Sequence, residues 1–423
     1  MGRRPRYAKG NRGTKRIMSG KEFEGKPAHG NGTRLASAGR KPEWTGAVVN
    51  PPVWRGSTHL YPDVASLKDR TKRNQDGDFF YGRRGSPTQW ALCDALTGIE
   101  PSAAGTVLYP SGVAAIAGAL MAVLRPGDVL LVTDNAYEPS RAMATGLLGQ
   151  LGVEARFFDP LDVAGFADHF CERTRAVLLE SPGSLTMEVQ DVPALTDIAR
   201  SKGAVSLIDN TWATPLGFPA LEHGCDIAIM SLTKHVGGHS DLMMGSAAAK
   251  GPLYRKLRQT AQSLGQVVSP DDAALALRGL RTMGLRLERS TATALEVVRW
   301  LESRSEVAHV LCPFLPGAPG YDLWRRDFSG GCGLFSFVLK GHSDTARARL
   351  IDALDLFGIG YSWGGFESLA IPIDPASIRT GSAWPPEHWD SGDQYGIRLS
   401  IGLEDAADLI ADLEQGFAAM EQK

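Results

Sequence analysis

The stretch AVSLIDNT (Ala204–Thr211) is a continuous apolar run that ends in a polar stretch containing Asp209. An apolar run without polar alternation predicts a strand buried on both faces, as in a parallel sheet. A helical pattern at Val192–Lys202 precedes it. Further strands of this kind are predicted at GTVLYPSG (Gly105–Gly112), GDVLLVTD (Gly127–Asp134), RAVLLESP (Arg175–Pro182) and CDIAIMSLTKH (Cys225–His235). Strands that alternate with helices predict a parallel α/β sheet.

A second, smaller region follows this predicted sheet. A long helical pattern at Pro270–Arg304 leads into mixed strands and helices, with one strand in GGCGLFSFVL (Gly330–Leu339). The change of pattern predicts an α/β domain over residues 85–280 and a smaller α+β domain over residues 281–423.

Composition places the chain among globular proteins. Hydrophobic residues make up 43% and charged residues 22% of its 423 residues, which excludes a disordered protein. The formal net charge of -2 gives no reason to expect nucleic acid or a membrane as a partner. The five scattered cysteines indicate neither a disulfide framework nor a metal site, and we expect a cytoplasmic protein.

The N-terminus is strongly basic. Its first 17 residues contain seven lysines and arginines and no acid, without the apolar core of a secretory signal. We predict a disordered basic arm over residues 1–32. A transit peptide, or a natural start at Met18, are the alternatives.

Three short stretches carry candidate chemistry. Asp209 lies at the carboxyl end of a predicted strand, the end that faces ligands in open α/β sheets. Lys234 also follows a strand, with a hydroxyl three residues before it and another directly before it, at Ser231 and Thr233. In YPSGVAAI (Tyr109–Ile116) a glycine turn opens a helix, so that the amides of Ser111, Gly112 and Val113 form a candidate anion site. Each feature alone also has a structural explanation.

Taken together, the three stretches match the needs of pyridoxal phosphate (PLP). An acid at a strand end keeps the pyridine nitrogen protonated, so that the ring withdraws electrons. A lysine amine condenses with the aldehyde, while hydroxyls and helix amides hold the phosphate. The sequence therefore predicts a PLP enzyme with the cofactor bound covalently to Lys234.

The chain closely resembles the Cys/Met-metabolism family of fold-type-I PLP enzymes, from about residue 33 to the C-terminus. The resemblance implies an aspartate-aminotransferase-like fold, with residues 33–84 contacting a neighbouring subunit. The motifs that carry it are AVVNPPVWRGST, YGRRGSPT, YPSG, AYEPSR, ESPGSLTMEV, DNTWATP, SLTKHVGGHSD, YSWGGFESL and IRLSIGLED.

The resemblance also implies roles for single residues. Lys234 is the Schiff-base lysine, Asp209 is the partner of the pyridine nitrogen, and Tyr137 stacks on the cofactor ring. Arg398 binds the substrate carboxylate, and Ser362 positions the lysine. The other implied cofactor contacts are Ser111, Gly112, Val113, Ser184, Ser231 and Thr233, with Tyr81 and Arg83 from the neighbouring subunit. The other implied substrate contacts are Arg84, Tyr361 and Trp363.

Within the family, the sequence is most similar to the β-lyase branch. That branch converts L-cystathionine into homocysteine, pyruvate and ammonia, in methionine biosynthesis. Ser184 occupies the place where γ-acting relatives typically have an asparagine, and Glu138 and Pro139 follow the stacking tyrosine where those relatives tend to be glycine-rich. Ala142 departs from the acid that some β-lyases have there, near the distal end of the substrate, which opens the range toward cystine or cysteine.

The sequence leaves other functions open. A γ-acting member of the family is one, and a PLP-binding regulatory protein that uses its basic arm is another. A dehydrogenase is disfavoured because no GxGxxG follows the first strand. The family resemblance further implies a homodimer with shared active sites that assembles into a tetramer, with a small amino acid as substrate.

Overall fold

The computed structural model describes residues 29–71, 77–318, 320–390 and 392–420. The predicted basic arm lies almost wholly outside them, and its last two residues already belong to the first helix, which starts at Asn31. The helices are α1 (Asn31–Ser37), α2 (Pro42–Thr45), α3 (Val64–Thr71), α4 (Pro87–Ile99), α5 (Gly112–Val123), α6 (Glu138–Thr145), α7 (Leu147–Gln150), α8 (Val192–Ser201), α9 (Thr214–Gly217), α10 (Gly251–Ser263), α11 (Pro270–Glu302), α12 (Tyr321–Asp327), α13 (Asp344–Asp352) and α14 (Ala406–Met420).

Twelve strands in the described residues form two sheets, and three 3₁₀ turns lie between elements at Gly82–Arg84, Phe166–His169 and Pro375–Ser377. The strands are β1 (Gly105–Tyr109), β2 (Val129–Thr133), β3 (Glu154–Phe158), β4 (Thr174–Glu180), β5 (Val205–Asp209), β6 (Ile227–Ser231), β7 (Gly245–Ala249), β8 (Val307–Leu311), β9 (Leu334–Leu339), β10 (Gly358–Ile359), β11 (Leu369–Ile373) and β12 (Gly396–Ser400).

The larger sheet has seven strands in the order β1-β7-β6-β5-β4-β2-β3. All neighbouring pairs are parallel except the two that involve β7. The strands β2 and β4 to β6 are apolar on both faces because α5 and α10 pack on one side, and α4, α8 and α11 belong to the core on the other. The mostly parallel α/β fold predicted from the sequence is confirmed.

The smaller sheet has five strands in the order β10-β11-β12-β9-β8, antiparallel except for β10 and β11. The helix α11 runs without a break through residue 280, where the sequence suggested a domain boundary, and links the two sheets. The Trp212 indole donates to the backbone carbonyl of Leu334, which joins the end of β5 to β9. No helix in the described part of the chain has the length and apolarity needed to cross a membrane.

Candidate functional site

Three parallel strands end at one edge of the larger sheet, and their last residues face a common cavity. Glu180 ends β4, Asp209 ends β5 and Ser231 ends β6, and the strand register places Glu180 directly beside Asp209. The cavity has a volume of about 200 Å³. Twelve residues that the sequence predicted as site residues line it: Ser111, Gly112, Val113, Tyr137, Ser184, Asp209, Ser231, Thr233, Lys234, Tyr361, Trp363 and Arg398.

Asp209 is held in place by Thr211, two residues further along the chain. One oxygen of the Asp209 carboxylate accepts hydrogen bonds from the Thr211 hydroxyl at 2.5 Å and from the Thr211 backbone N–H at 3.0 Å. Burial raises the pKa of Asp209, and the two bonds from Thr211 offset part of this shift. The carboxylate is therefore oriented and desolvated, so that a cation placed beside it would be strongly favoured.

Glu180 is a second buried acid in the site, and no sequence motif indicated a role for it. Its carboxylate accepts the backbone N–H of Tyr137 at 2.7 Å. Burial, reinforced by the neighbouring charge of Asp209, raises the pKa of Glu180 well above its usual range. The sequence does show Glu180 at the end of an apolar run. That this strand end lies beside Asp209 follows only from the register of the sheet.

Lys234 follows β6 and reaches toward the connection between β10 and β11 of the smaller sheet. Its Nζ donates a hydrogen bond to the Ser362 hydroxyl at 2.9 Å and lies 5.5 Å from the centre of the Trp363 ring. Burial, together with the charge of Arg398, lowers the pKa of Lys234 to about 8. About a tenth of this amine is therefore uncharged at pH 7, and the uncharged form is the one that acts as a nucleophile or base.

The opposite wall of the cavity is an anion site formed by the start of α5. Ser111 is the N-cap residue, and its hydroxyl accepts the N–H of Ala114 at 3.1 Å. Gly112 allows the helix to approach β6, since a Cβ there would lie 2.8 Å from the Ser231 hydroxyl oxygen. The hydroxyl of Thr233 donates to the carbonyl of Met244 at 3.2 Å, a bond it would exchange in order to donate to a phosphate.

Tyr137, directly before α6, and Arg398, on a strand of the smaller sheet, complete the site. Burial raises the pKa of the Tyr137 hydroxyl, so it remains protonated at neutral pH. Arg398 belongs to β12 and donates to the carbonyl of Tyr361 at 2.8 Å. Burial lowers its pKa to about 10, which still leaves a full positive charge at neutral pH.

Three predicted site residues lie elsewhere in the described chain. Arg83 and Arg84 line a cavity beside α10, where Arg83 donates to the carbonyl of Gln262 at 2.7 Å. The guanidinium of Arg84 lies 4.0 Å from the centre of the Phe80 ring. Tyr81 lines a surface pocket together with Leu60. One chain alone does not bring them to Lys234, so their predicted roles depend on a neighbouring subunit.

The residues present fit PLP. A desolvated carboxylate, a lysine of lowered pKa and a helix N-terminus face one cavity, which are the groups that a pyridine nitrogen, an aldehyde and a phosphate require. The close approach that Gly112 permits brings the first amides of α5 next to the Ser231 hydroxyl, so that one phosphate could be held by both.

Comparison with protein families gives one match. The family model described as "Cys/Met metabolism PLP-dependent enzyme" covers residues 32–418. The match therefore includes both sheets and every residue that lines the cavity.

Individual relatives agree with this match. Cystathionine beta-lyase MetC of Escherichia coli is 43% identical, over 91% of this chain and 98% of the relative. Cystathionine beta-lyase of Salmonella typhimurium is 42% identical, over 91% of this chain and 98% of the relative. The crystal structure of cystathionine gamma synthase from Xanthomonas oryzae pv. oryzae, in complex with aminoacrylate and cysteine, superposes with a TM-score of 0.83 at 31% identity, over 93% of this chain and 99% of that one.

Proposed function

The chain belongs to the Cys/Met metabolism family of PLP-dependent enzymes, and on that basis we propose that it catalyses β-elimination of L-cystathionine. The products would be homocysteine, pyruvate and ammonia, which makes the protein a carbon–sulfur lyase. Relatives of 42% and 43% identity that bear the name cystathionine beta-lyase support this substrate. The observation that carries the proposal is that Lys234, Asp209, Tyr137 and Arg398 all face one cavity.

When bound, PLP supplies an aldehyde that condenses with amines and a ring that withdraws electrons from the substrate. Lys234 would provide the amine of attachment, and the Asp209 carboxylate would accept a hydrogen bond from the protonated ring nitrogen. The hydroxyls of Ser231 and Thr233 and the amides of Gly112 and Val113 bind the phosphate, supported by the N-terminal end of the α5 dipole. Arg398 binds the substrate carboxylate through its planar fork of donors.

The proton transfers are assigned to two side chains. Lys234 Nζ would accept the proton from the substrate Cα, and the Ser362 hydroxyl keeps the amine in position through the bond of 2.9 Å. The Tyr137 hydroxyl or the Lys234 ammonium then donates a proton to the departing sulfur. Arg398 fixes the carboxylate, so that the Cα–H bond and not the carboxylate bond is the one that breaks.

Assembly and location are part of the same proposal. The motif around Tyr81 and Arg83 supports a homodimer in which each subunit completes the site of the other, with further pairing into tetramers. The thiols of Cys225, Cys312 and Cys332 are buried and unpaired, which supports a cytoplasmic enzyme.

The test is to incubate the purified, PLP-loaded protein with L-cystathionine and to identify the products. Pyruvate together with homocysteine is the expected result. Release of 2-oxobutyrate and cysteine would instead show γ-elimination and contradict the proposal. L-Cystine and L-cysteine should be assayed in parallel, because Ala142 leaves the distal end of the site without an acid at that position.

A further inference from the structure

A segment of the C-terminal domain is fastened to the end of β2 by a buried aspartate. Asp134 is fully buried and accepts three successive backbone N–H groups, from Thr380 at 3.1 Å, Gly381 at 2.9 Å and Ser382 at 2.8 Å. The Ser382 hydroxyl donates to the same carboxylate at 2.9 Å. Burial raises the pKa of Asp134, but these bonds and the one from Arg141 outweigh burial and keep its pKa below the usual range.

Arg141, on α6, bonds both to Asp134 and to the same C-terminal segment. One guanidinium nitrogen donates to the Asp134 carboxylate at 2.7 Å and to the Asp134 carbonyl at 2.9 Å. The other donates to the carbonyl of Ile378 at 2.5 Å. Tyr137 lies between Asp134 and Arg141, directly before α6. The chain on both sides of Tyr137 is therefore hydrogen-bonded to the segment Ile378–Ser382.

A second buried ion pair ties the same segment to the loop after β4. Arg379 donates to the Glu188 carboxylate and to the Thr186 hydroxyl, each at 2.5 Å. The Arg379 and Glu188 side chains are only 5% and 13% exposed. This loop carries Ser184, whose backbone N–H donates to the carbonyl of Asn135 at 2.9 Å. The two loops that line the cavity are thus joined to each other and to one segment.

The same segment lies in the connection between two strands of the smaller sheet. These strands are β11 and β12, which pair with each other, and β12 carries Arg398. We propose that Asp134, Arg141, Arg379 and the segment Ile378–Ser382 form an interdomain clasp that positions Tyr137 relative to Arg398. In this clasp Asp134 and Arg379 are positioning residues for the reaction. Their expected effect on KM rests on the proposed function.

The clasp works by limiting relative movement. Tyr137 belongs to the α/β domain and Arg398 to the smaller sheet, so their separation depends on how rigidly the two are joined. A shift of about 1 Å between groups that hold the same substrate is enough to lower the rate by as much as about a hundredfold. The desolvated ion pair of Arg379 with Glu188 and the hydrogen bonds from the segment to the Asp134 carboxylate resist such a shift, because breaking them leaves buried charge without its partners.

The chain offers a matched control for Asp134. Asp412, on α14, is also a buried aspartate that accepts three successive backbone N–H groups, from Asp355, Leu356 and Phe357. Those groups join α14 to the segment after α13, within the C-terminal domain. Asp134→Asn and Asp412→Asn therefore each remove the charge from a buried carboxylate that accepts three backbone N–H groups. Asp134 pairs with Arg141 in addition, and only its contacts join the loop of Tyr137 to the segment Ile378–Ser382.

Both variants should be prepared as full-length, PLP-loaded protein. Three quantities are compared: the thermal midpoint, the visible circular dichroism of the bound cofactor, and KM and kcat for L-cystathionine. For Asp134→Asn we expect a KM raised by about tenfold and a clearly weaker visible circular dichroism, because Tyr137 and Arg398 lose their fixed relation. For Asp412→Asn we expect a lower thermal midpoint with both other readouts within about twofold of the original protein.

The proposal is overturned if Asp134→Asn behaves like Asp412→Asn, with reduced stability but unchanged KM and circular dichroism. If Asp134→Asn does not fold, Arg379→Lys and Ser382→Ala replace it, since each removes only part of the clasp, and an unchanged KM and circular dichroism in both would equally overturn it. Should the original protein release no pyruvate from L-cystathionine, the proposed function fails, while the comparison of circular dichroism still decides the clasp.

Discussion

At the scale of single residues, the site depends on what burial does to Lys234. An exposed lysine would be almost fully protonated at neutral pH, and its amine would be a poor nucleophile. In this chain burial and the charge of Arg398 bring its pKa to about 8, while Asp209 acts in the opposite direction. The two cationic side chains thus influence each other before any ligand binds.

The attachment of PLP should depend on this one amine. Lys234→Ala should remove the visible absorbance that PLP gains on attachment, and borohydride reduction should leave no labelled lysine in the digested chain. Lys256→Ala, at an exposed position on α10, is the control and should be labelled like the original protein. A reduced adduct on a different lysine of Lys234→Ala would contradict the assignment.

The rate of PLP uptake by the empty protein should rise with pH up to about 8, because only the uncharged Lys234 amine attacks the aldehyde. Arg398→Ala should move the midpoint of this rise to higher pH, since removing the neighbouring cation and admitting water both favour the ammonium form. Stopped-flow absorbance across a pH series measures it. A midpoint that is unchanged or lower in Arg398→Ala would refute the coupling.

Short motifs, together with the family resemblance, predicted which residues line the cavity but not which residues hold them in place. Lys234, Asp209 and Arg398 carry chemistry that is recognisable in short motifs, and the structure brings all three to one cavity. Glu180 and Thr211 act through hydrogen bonds to Tyr137 and Asp209, and such bonds depend on strand register and loop geometry. A linear pattern contains neither, so these two were missed.

At the scale of elements, helix α4 is followed by a buried glutamate. Glu100 directly follows the helix, is 2% exposed, and accepts the backbone N–H of Leu221 at 3.1 Å. Burial raises its pKa to about 8. Because an ordinary glutamate in the unfolded chain ionises near pH 4.3, folding takes up a proton here, and stability is lost as the pH rises toward 8.

Glu100→Gln should therefore increase the free energy of unfolding more at pH 8 than at pH 5. One pKa unit corresponds to about 1.4 kcal/mol, so the gain at pH 8 should be a few kcal/mol at most. Urea unfolding at the two pH values measures it, with Glu288→Gln at an exposed position of α11 as the control. An equal effect at both pH values would show that Glu100 is already ionised in the folded chain.

The elements that the sequence did not reveal have weak patterns. The strand β7, GSAAA, has almost no strand-forming side chains, yet it lies between β1 and β6. Small residues are required there because α5 packs closely, and a Cβ at Gly245 would lie 2.2 Å from the Ser111 carbonyl. The strand β3, EARFF, lies at the sheet edge and is only half-buried, so it lacks the apolar run of its neighbours.

At the scale of the whole molecule, the positions of Tyr81 and Arg83 bear on the proposed homodimer. Both lie away from the cavity of their own chain, as residues that serve a neighbouring subunit would. Exposed apolar side chains occur in the same N-terminal part of the chain, at Val48, Val49, Leu60 and Val64. We expect this surface to be covered when two copies associate.

Co-expression of Lys234→Ala with Arg83→Ala should restore activity that neither variant has alone. If Arg83 serves the partner's site, half of randomly formed dimers contain one intact site, and activity should recover to about a quarter of the original value. Lys234→Ala with Asp209→Asn is the control, because both changes affect the same chain's cavity and no intact site can form. Failure of the first pair to recover would argue against shared sites.

The adjacency of Glu180 and Asp209 affects the folding stability of the protein without PLP. Two neighbouring acids of raised pKa make the unliganded fold weaker as the solution becomes more alkaline. A protonated ring nitrogen beside Asp209 would supply a further positive charge, so we expect the vitamin B6 derivative to stabilise the fold as well as to take part in the reaction. Scarcity of that vitamin would then expose the protein to degradation, and most severely at high pH.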